Sequence, residues 1–381
     1  MNKIKEVTVF TKGDSSKIST WSNVPYFFTE TLLSKGVRVN RVDLSPIPFL
    51  RIIFNRTFYS VEKKINKHST YDYFRSFMHF TNSRYRIKKA INQYPNSDAN
   101  IFLTFSFSSA GLTRKPAIQC SDWTYDHYFN YFEERKPDLL EKQCVERENS
   151  QIEGSDIVVS LFPTVARYMK KKYTNKNIHH IGYAINTLHD ISEVDAIKNK
   201  INSNDILFVG SKKYREGAQS LINAFKKVQQ NYPELHLHII GMTTADFKNL
   251  PKNVNCYGYL DKGNDADRIR YYTLFKKAKM FINTTPKWGA FSAAIEAMYF
   301  YIPVITSPYD DFIETFGNDI DFGYYSEQNT PSLIEEYIIK ILNHPSYQSL
   351  CINAHKSVEK YTWNAYMDKL ITKIEDKISS H

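Results

Sequence analysis

Short apolar runs alternate with longer amphipathic stretches along the whole chain. The runs are rich in Val, Ile and Phe, as in strands of a parallel sheet that is covered on both faces. In the first half they predict strands at Glu6–Phe10, Val37–Asp43, Asn100–Phe105, Ala117–Cys120, Ile157–Ser160 and His179–Tyr183. In the second half they predict strands at Asp205–Val209, Leu235–Ile240, Val254–Tyr257, Met280–Ile282 and Ile302–Ile305. The repetition of strand, loop, helix and strand indicates βαβ units and therefore an α/β fold.

The stretches between the strands carry helical periodicity and helix end signals. Asn23 suits the N-cap of the first helix, and Pro25 suits its first turn. The predicted helices are Val24–Lys35, Lys136–Gln151, Pro163–Tyr173, Ala218–Asn231, Asp267–Lys277 and Phe291–Tyr299. We expect irregular structure at Pro46–His79 and a link between the halves near Asn186–Ser203.

A polar turn lies between the strand Met280–Ile282 and the small-residue helix Phe291–Tyr299, and it includes Gly289. A helix that begins at the carboxyl end of a parallel sheet favours phosphate, because its free N–H groups and its dipole both face the anion. Glu296 follows one to two turns into this helix, among alanines. Its carboxylate could accept hydrogen bonds from sugar hydroxyls. The alternative is a glutamate that faces solvent on an amphipathic helix.

A cationic loop follows the strand Asp205–Val209. It begins at Gly210 and carries Lys212, Lys213 and Arg215 immediately before a predicted helix. Cations beside a tight turn at a helix start suit a diphosphate. The alternative is a solvated lysine-rich loop.

Asp122 lies at the carboxyl end of the strand Ala117–Cys120, where open α/β sheets place ligand groups. Asp122 and the nearby His127 are therefore candidates for polar contact with a substrate, Asp122 as a catalytic residue, and the alternative for each is a loop or capping role. The loop after the first strand holds only Gly13, so a dinucleotide-binding fingerprint is not supported.

Two Asp-x-Asp strings, Asp265/Asp267 and Asp319/Asp321, could hold a divalent metal with a nucleotide diphosphate. The first precedes a helix and suits a cap, and the second lies in a loop next to a glycine. We therefore expect no metal at either string.

The composition indicates a globular chain of two domains: 381 residues, 42% hydrophobic and 24% charged. The four cysteines lack metal-ligand spacing, which favours reduced thiols in the cytoplasm. The N-terminus has no signal-peptide pattern, and no apolar run approaches the ~20 residues of a membrane span. The net charge of +10 suits an anionic partner, but nucleic acid is not expected because no nucleic-acid-binding signature is present.

Basic and aromatic residues are interleaved in the segment Pro46–His79. Arg51 and Arg56 lie among Phe and Tyr, and Arg84 and Arg86 continue the charge. This combination suits an anionic membrane surface, since aromatic and cationic side chains both favour the interface. The alternative is a solvated helical face.

Six segments resemble the GT-B glycosyltransferases of the large retaining bacterial family 4. They are FVGSKKYREGAQSLINAF, HLHIIGM, VNCYGYL, LFKKAKMFINTT, GAFSAAIEAMYFYIPVIT and the closing YTWNAYMDKLITKI. The similarity covers about Ser155–Lys373. The resemblance implies two Rossmann-like domains that face each other across a cleft. The first would be an acceptor domain at 1–186, joined by 365–381, and the second a nucleotide-sugar-binding domain at 187–364.

The resemblance also implies roles for single residues. Glu296 matches the glutamate that binds the donor ribose, and Phe291 and Ser292 match the turn whose amides meet the diphosphate. Lys212 and Arg215 lie beside the family's phosphate-binding positions, which hold Ser211 and Glu216 here. The donor would be a UDP or GDP sugar, with no cofactor and no metal.

Two departures from the family pattern concern the transferred sugar. The first glutamate of the family's pair is replaced by Trp288, or by Gly289 if the loop is shorter, and the usual histidine after Ala117–Cys120 is replaced by Ser121 and Asp122. We expect a cytoplasmic hexosyltransferase, peripheral at the membrane, that acts with retention on a polysaccharide or lipid-linked acceptor. The alternative is a subunit of a glycosyltransferase complex that binds a nucleotide sugar without turning it over.

Overall fold

The structure is a computed structural model that describes residues 3–59, 66, 68–287 and 291–380. Contacts divide the chain into two compact units, one of Met1–Tyr183 with Trp363–His381 and one of Ala184–Thr362. Each unit contains a six-stranded parallel sheet with helices, so the predicted α/β class with two Rossmann-like domains is confirmed. The assignment of an acceptor domain and a nucleotide-sugar domain stays a prediction.

The sheet of the first unit has the strand order β2-β1-β3-β4-β5-β6. Its strands are β1 Glu6–Thr11, β2 Arg38–Asp43, β3 Ala99–Phe102, β4 Ala117–Ser121, β5 Ile157–Ser160 and β6 Ile178–His179. Helices α1 to α6 are Val24–Ser34, Pro48–Phe54, Phe77–Gln93, Tyr125–Tyr128, Leu139–Gly154 and Pro163–Lys172, and the last helix of the chain, Trp363–Ser379, belongs to the same unit. The strands β1 and β3 are buried, and Phe10 stacks on Phe102 between them.

The sheet of the second unit has the order β12-β11-β10-β7-β8-β9. Its strands are β7 Asp205–Val209, β8 His236–Ile240, β9 Val254–Cys256, β10 Met280–Asn283, β11 Val304–Thr306 and β12 Gly323–Tyr325. Helices α7 to α13 are Glu193–Ile201, Arg215–Val228, Asp265–Lys277, Phe291–Tyr299, Asp310–Phe316, Pro331–Leu342 and Tyr347–Val358. The core packs Ile206 and Phe208 of β7 against Leu221 and Phe225 of α8.

One prediction about secondary structure is wrong, because the segment predicted to be irregular contains the helix Pro48–Phe54. The predicted link contains a second helix that the pattern did not predict, Glu193–Ile201. The second of these begins at Ser192, whose hydroxyl accepts the Asp195 N–H in the manner of an N-cap. Asn23 is the N-cap residue of α1, as predicted, but its side chain makes no capping hydrogen bond with the helix, and its side-chain N–H donates to the Ile18 carbonyl.

No helix in the described part of the chain combines the length and the hydropathy needed to cross a bilayer.

Candidate active site

The strands β7 and β10 mark the topological switch point of the second sheet. They are neighbours, with Met280 beside Ile206, yet the chain continues from β7 to β8 on one side and from β10 to β11 on the other. In open α/β sheets, ligands bind at the carboxyl edge beside such a pair of strands. The predicted phosphate-binding residues all follow one of these two strands.

Main-chain atoms pack closely at the ends of β7 and β8. Gly210 donates its N–H to the Ile240 carbonyl at 2.9 Å, and Gly241 donates to the Gly258 carbonyl at 2.7 Å. A Cβ at Gly241 would lie 2.5 Å from the Gly210 oxygen, and its φ of +100° also favours glycine. Gly210 thus lies at a tightly packed strand end, where the absence of side chains would let a ligand approach the backbone closely.

The loops after β7 and β10 are joined by direct contacts. The side-chain amide of Asn283 donates through Nδ2 to the Val209 carbonyl at 3.3 Å, and its Oδ1 accepts the Thr285 N–H at 3.2 Å. Gly217 of α8 faces Thr285 so closely that a Cβ would lie 3.0 Å from the Thr285 nitrogen. These contacts hold the start of α8 against the end of β10.

Glu296 is buried in α10, so the alternative prediction that it faces solvent is wrong. Its Oε1 accepts a hydrogen bond from Lys262 Nζ at 2.7 Å, and its Oε2 accepts one from the Tyr271 hydroxyl at 2.9 Å. Lys262 also donates to the Asn186 carbonyl at 2.9 Å. Burial, and then the negative charge of Glu296, raise the pKa of Tyr271 well above its ordinary value. The tyrosine therefore stays a hydrogen-bond donor at neutral pH.

Lys212 and Arg215 both contact Asp246, in the loop after β8. The Lys212 ammonium lies 2.7 Å from Asp246 Oδ1, and Arg215 Nε donates to the Asp246 carbonyl at 2.9 Å. The hydrogen bond from Lys212, followed by the one from the Thr243 N–H, lowers the pKa of Asp246 to about 2. Lys212 itself is exposed. The structure thus directs both cations towards the loop after β8.

The helix α10 begins with Phe291, whose buried ring packs edge-on against Phe312 at 5.8 Å. Ser292 is exposed in the first turn of the helix. Amides in a first turn have no partner within the helix and point along its axis. Trp288 and Gly289 lie outside the described residues, so the prediction for Gly289 stays a prediction.

Asp122 lies at the end of β4 in the first unit, whereas Glu296 belongs to the second. The Oδ1 atom of Asp122 accepts the Trp123 N–H at 2.8 Å and the Ser121 hydroxyl at 3.3 Å, which is the geometry of a loop-capping residue. The ring of His127 stacks on Trp123, with 5.0 Å between ring centroids. The contacts of Asp122 therefore agree with its alternative role, and a catalytic role stays a prediction.

The first Asp-x-Asp string lies in the first turn of α9, and the cap of that helix is Asn264, whose side chain accepts the Asp267 N–H. Within residues 3–59, 66, 68–287 and 291–380, no group of three or more His, Cys, Asp or Glu is placed to hold a metal ion.

Sequence reasoning missed Lys262, Tyr271 and Asp246. Lys262 is 34 residues from Glu296 along the chain, and Tyr271 is 25 residues away. A lone lysine in a turn and a tyrosine in a helix carry no local signal of a partner. The sequence could only have suggested that a buried glutamate needs a cation.

Comparison with known proteins finds one family match, which lies in the second half of the chain. Residues 191–358, which include β7 to α10, match the family model described as Glycosyl transferases group 1. A search of curated proteins finds no match to the sequence.

Solved structures resemble the chain over almost its full length. Sucrose-phosphate synthase from Thermosynechococcus elongatus has 14% sequence identity and a TM-score of 0.68, and 99% of this chain and 100% of that chain are covered. Anabaena HepE, solved in complex with UDP and glucose, has 11% identity and a TM-score of 0.63, with coverage of 98% and 99%. A glycosyltransferase from Rickettsia africae has 14% identity and a TM-score of 0.61, with coverage of 100% of both chains. The chain therefore has the GT-B fold, and its residues 191–358 match the model for Glycosyl transferases group 1.

Proposed function

We propose that the protein transfers a hexose, with retention and without a metal, from a nucleotide-diphosphate sugar to a polysaccharide or lipid-linked acceptor. The observation that carries the proposal is the topological switch point between β7 and β10, which lies inside the matched domain and is followed along the chain by the start of α10. We also infer that it works in the cytoplasm, at the membrane surface that carries a lipid-linked acceptor. Three of its four free cysteines are buried, as suits a reducing compartment.

In this proposal the donor diphosphate lies against the first turn of α10. The exposed position of Ser292 leaves room for an anion beside its amide. Lys212 is exposed and held only at its tip by Asp246, so it could turn towards the phosphates by changing rotamers. The structural neighbour solved with UDP and glucose supports a nucleotide sugar as the donor class.

Glu296 would bind the ribose in the same proposal. A carboxylate offers about four lone-pair sites, and Lys262 and Tyr271 occupy two of them. The ribose hydroxyls would use the remaining sites, or would replace the Tyr271 hydroxyl. Lys262 is then a positioning residue, because it fixes the carboxylate that contacts the donor.

The chemistry needs stabilisation of the departing diphosphate. The bond between the anomeric carbon and the phosphate oxygen breaks, a bond to the acceptor oxygen forms, and the acceptor proton leaves with the diphosphate. Negative charge grows on the diphosphate while the sugar becomes oxocarbenium-like. Fixed amide donors and nearby cations stabilise that charge without reorganisation.

The test is transfer or donor hydrolysis by the purified protein, with UDP and GDP sugars as donors. Ser292→Pro removes one amide N–H in a helical turn that tolerates proline, and Ser292→Ala keeps the N–H as the matched control. We expect Pro to lower turnover by about 100-fold, as for a lost oxyanion donor, and Ala to have little effect. Equal activity of the two variants would remove the amide from the mechanism.

The replacement of the family's first glutamate by Trp288 or Gly289 supports a second candidate, a nucleotide-sugar-binding subunit without turnover. Calorimetric binding of UDP-glucose without product formation would favour this candidate. Product formation by the purified chain would exclude it.

A further inference from the structure

The short helix α2, Pro48–Phe54, is apolar on opposite sides. Leu50 and Phe54 lie on its inner side and pack with Tyr71 and Tyr73. The ring of Phe54 lies 5.5 Å from that of Tyr73 and 5.4 Å from that of Phe58, in the π-helical turn Asn55–Tyr59 that follows. The inner side thus anchors the helix to the first unit.

Four large apolar side chains lie on the outer side of this segment, and we call them the apolar face. They are Phe49, Ile52, Ile53 and Phe58, exposed by 68%, 48%, 41% and 48%. Single exposed apolar residues are ordinary on protein surfaces, but several on one short element mark an interaction site. The apolar face therefore needs an explanation outside the core of the unit.

Along the chain, the charges in the segment that carries the apolar face have a single sign. Arg51 and Arg56 are both exposed, and no acidic residue occurs between Leu44 and Tyr59. The exposed Val194 of the second unit shows the contrast, because it is 76% exposed but lies between Glu193 and Asp195.

We propose that the apolar face, with Arg51 and Arg56, docks the first unit onto an anionic lipid bilayer. Apolar side chains enter the boundary between headgroups and acyl chains, while the guanidinium groups stay with the anionic headgroups. Each basic residue near such a surface adds attraction that salt screens. The inference extends the proposed function, whose lipid-linked acceptor would lie at this surface, but docking is measurable without any transfer.

A second copy of the chain fits this surface less well. A standard protein interface buries about 800 Å² on each partner, which four half-exposed side chains do not provide. A two-fold contact would also bring Arg51 and Arg56 towards their own copies. Charge complementarity therefore selects the anionic bilayer.

Vesicle co-sedimentation tests the proposal with the full chain. Vesicles of phosphatidylcholine alone are compared with vesicles that also contain phosphatidylglycerol, at low and high salt. The wild type should bind the phosphatidylglycerol vesicles, more weakly at high salt. Phe49→Ser with Ile52→Ser should lower the partition coefficient about tenfold or more, and Arg51→Glu with Arg56→Glu should abolish the preference for phosphatidylglycerol. Val194→Ser is the matched control and should bind like the wild type.

Several outcomes would overturn the proposal. One is wild-type binding that does not depend on phosphatidylglycerol, and another is equal binding by wild type and the Phe49 and Ile52 variant. A third is a dimer in analytical ultracentrifugation that this variant converts to monomer, since the face would then bind a second copy. Transfer to a water-soluble acceptor is measured on the same variants. If sugar transfer persists without docking, this inference fails and the proposed function stands. If the protein docks but transfers no sugar, the proposed function fails and this inference stands.

Discussion

Replacing Lys262 by methionine should expose the cost of an unpaired buried charge in the second unit. Lys262 Nζ lies 2.7 Å from Glu296 Oε1, and the two side chains are only 7% and 6% exposed. Methionine fills a similar volume but leaves the carboxylate with the Tyr271 hydroxyl as its remaining partner. Removing one partner from such a buried pair costs about 3–5 kcal/mol of unfolding free energy, because water cannot replace the lost cation.

The chain provides a matched control for burial. Lys340 lies 2.7 Å from Glu336, but these side chains are 48% and 54% exposed. Lys340→Met should therefore leave the free energy of unfolding almost unchanged, as for exposed pairs one helical turn apart. Both pairs have an N···O distance of 2.7 Å, so the difference in unfolding free energy between the two variants measures the effect of burial.

Urea denaturation of the full chain measures the free energy of unfolding of both variants. Hydrogen exchange at the amides of α10 shows whether the loss of stability lies in the second unit. The double variant Lys262→Met with Glu296→Gln should recover much of the stability, because no uncompensated charge remains. It should still bind a nucleotide sugar poorly if Glu296 holds the ribose. If Lys262→Met costs no more than Lys340→Met, the buried pair does not exist in solution and the reasoning fails.

Three further predictions concern the packing and titration of single residues. Gly217→Ala should destabilise the chain by about 1–3 kcal/mol in urea through overlap with Thr285, and Thr285→Ala should partly relieve it. Burial lowers the pKa of His79 from 6.5 to about 4. The free energy of unfolding therefore falls by about 3 kcal/mol as the pH falls through this range. His79→Leu should abolish this loss in thermal melts at several pH values. Burial raises the pKa of Glu148 from 4.5 to about 7, so the stability that the protonated side chain contributes is lost as the pH rises through 7. Glu148→Gln should therefore be more stable than the wild type at pH 8 but not at pH 4. An unchanged pH profile in either titration variant would contradict the assigned pKa.

Much of the fold could be predicted from the sequence, because strands of a covered parallel sheet are apolar throughout. The strands Ile157–Ser160 and Asp205–Val209 and the helix Phe291–Tyr299 have the bounds that the pattern predicts. The helix Pro48–Phe54 was missed for a related reason. Its apolar residues lie on both its inner and its outer side, so helical periodicity is lost.

The sequence by itself determined which loops follow the central strands, and hence where Gly210, Lys212 and Ser292 lie along the second unit. Only the tertiary structure decided which side chains meet. It paired Glu296 with Lys262, directed Lys212 to Asp246, and left Phe49 on the surface. The physical reason is that strands and helices form from local patterns, whereas the partner of a buried charge is set by packing between segments far apart in the chain.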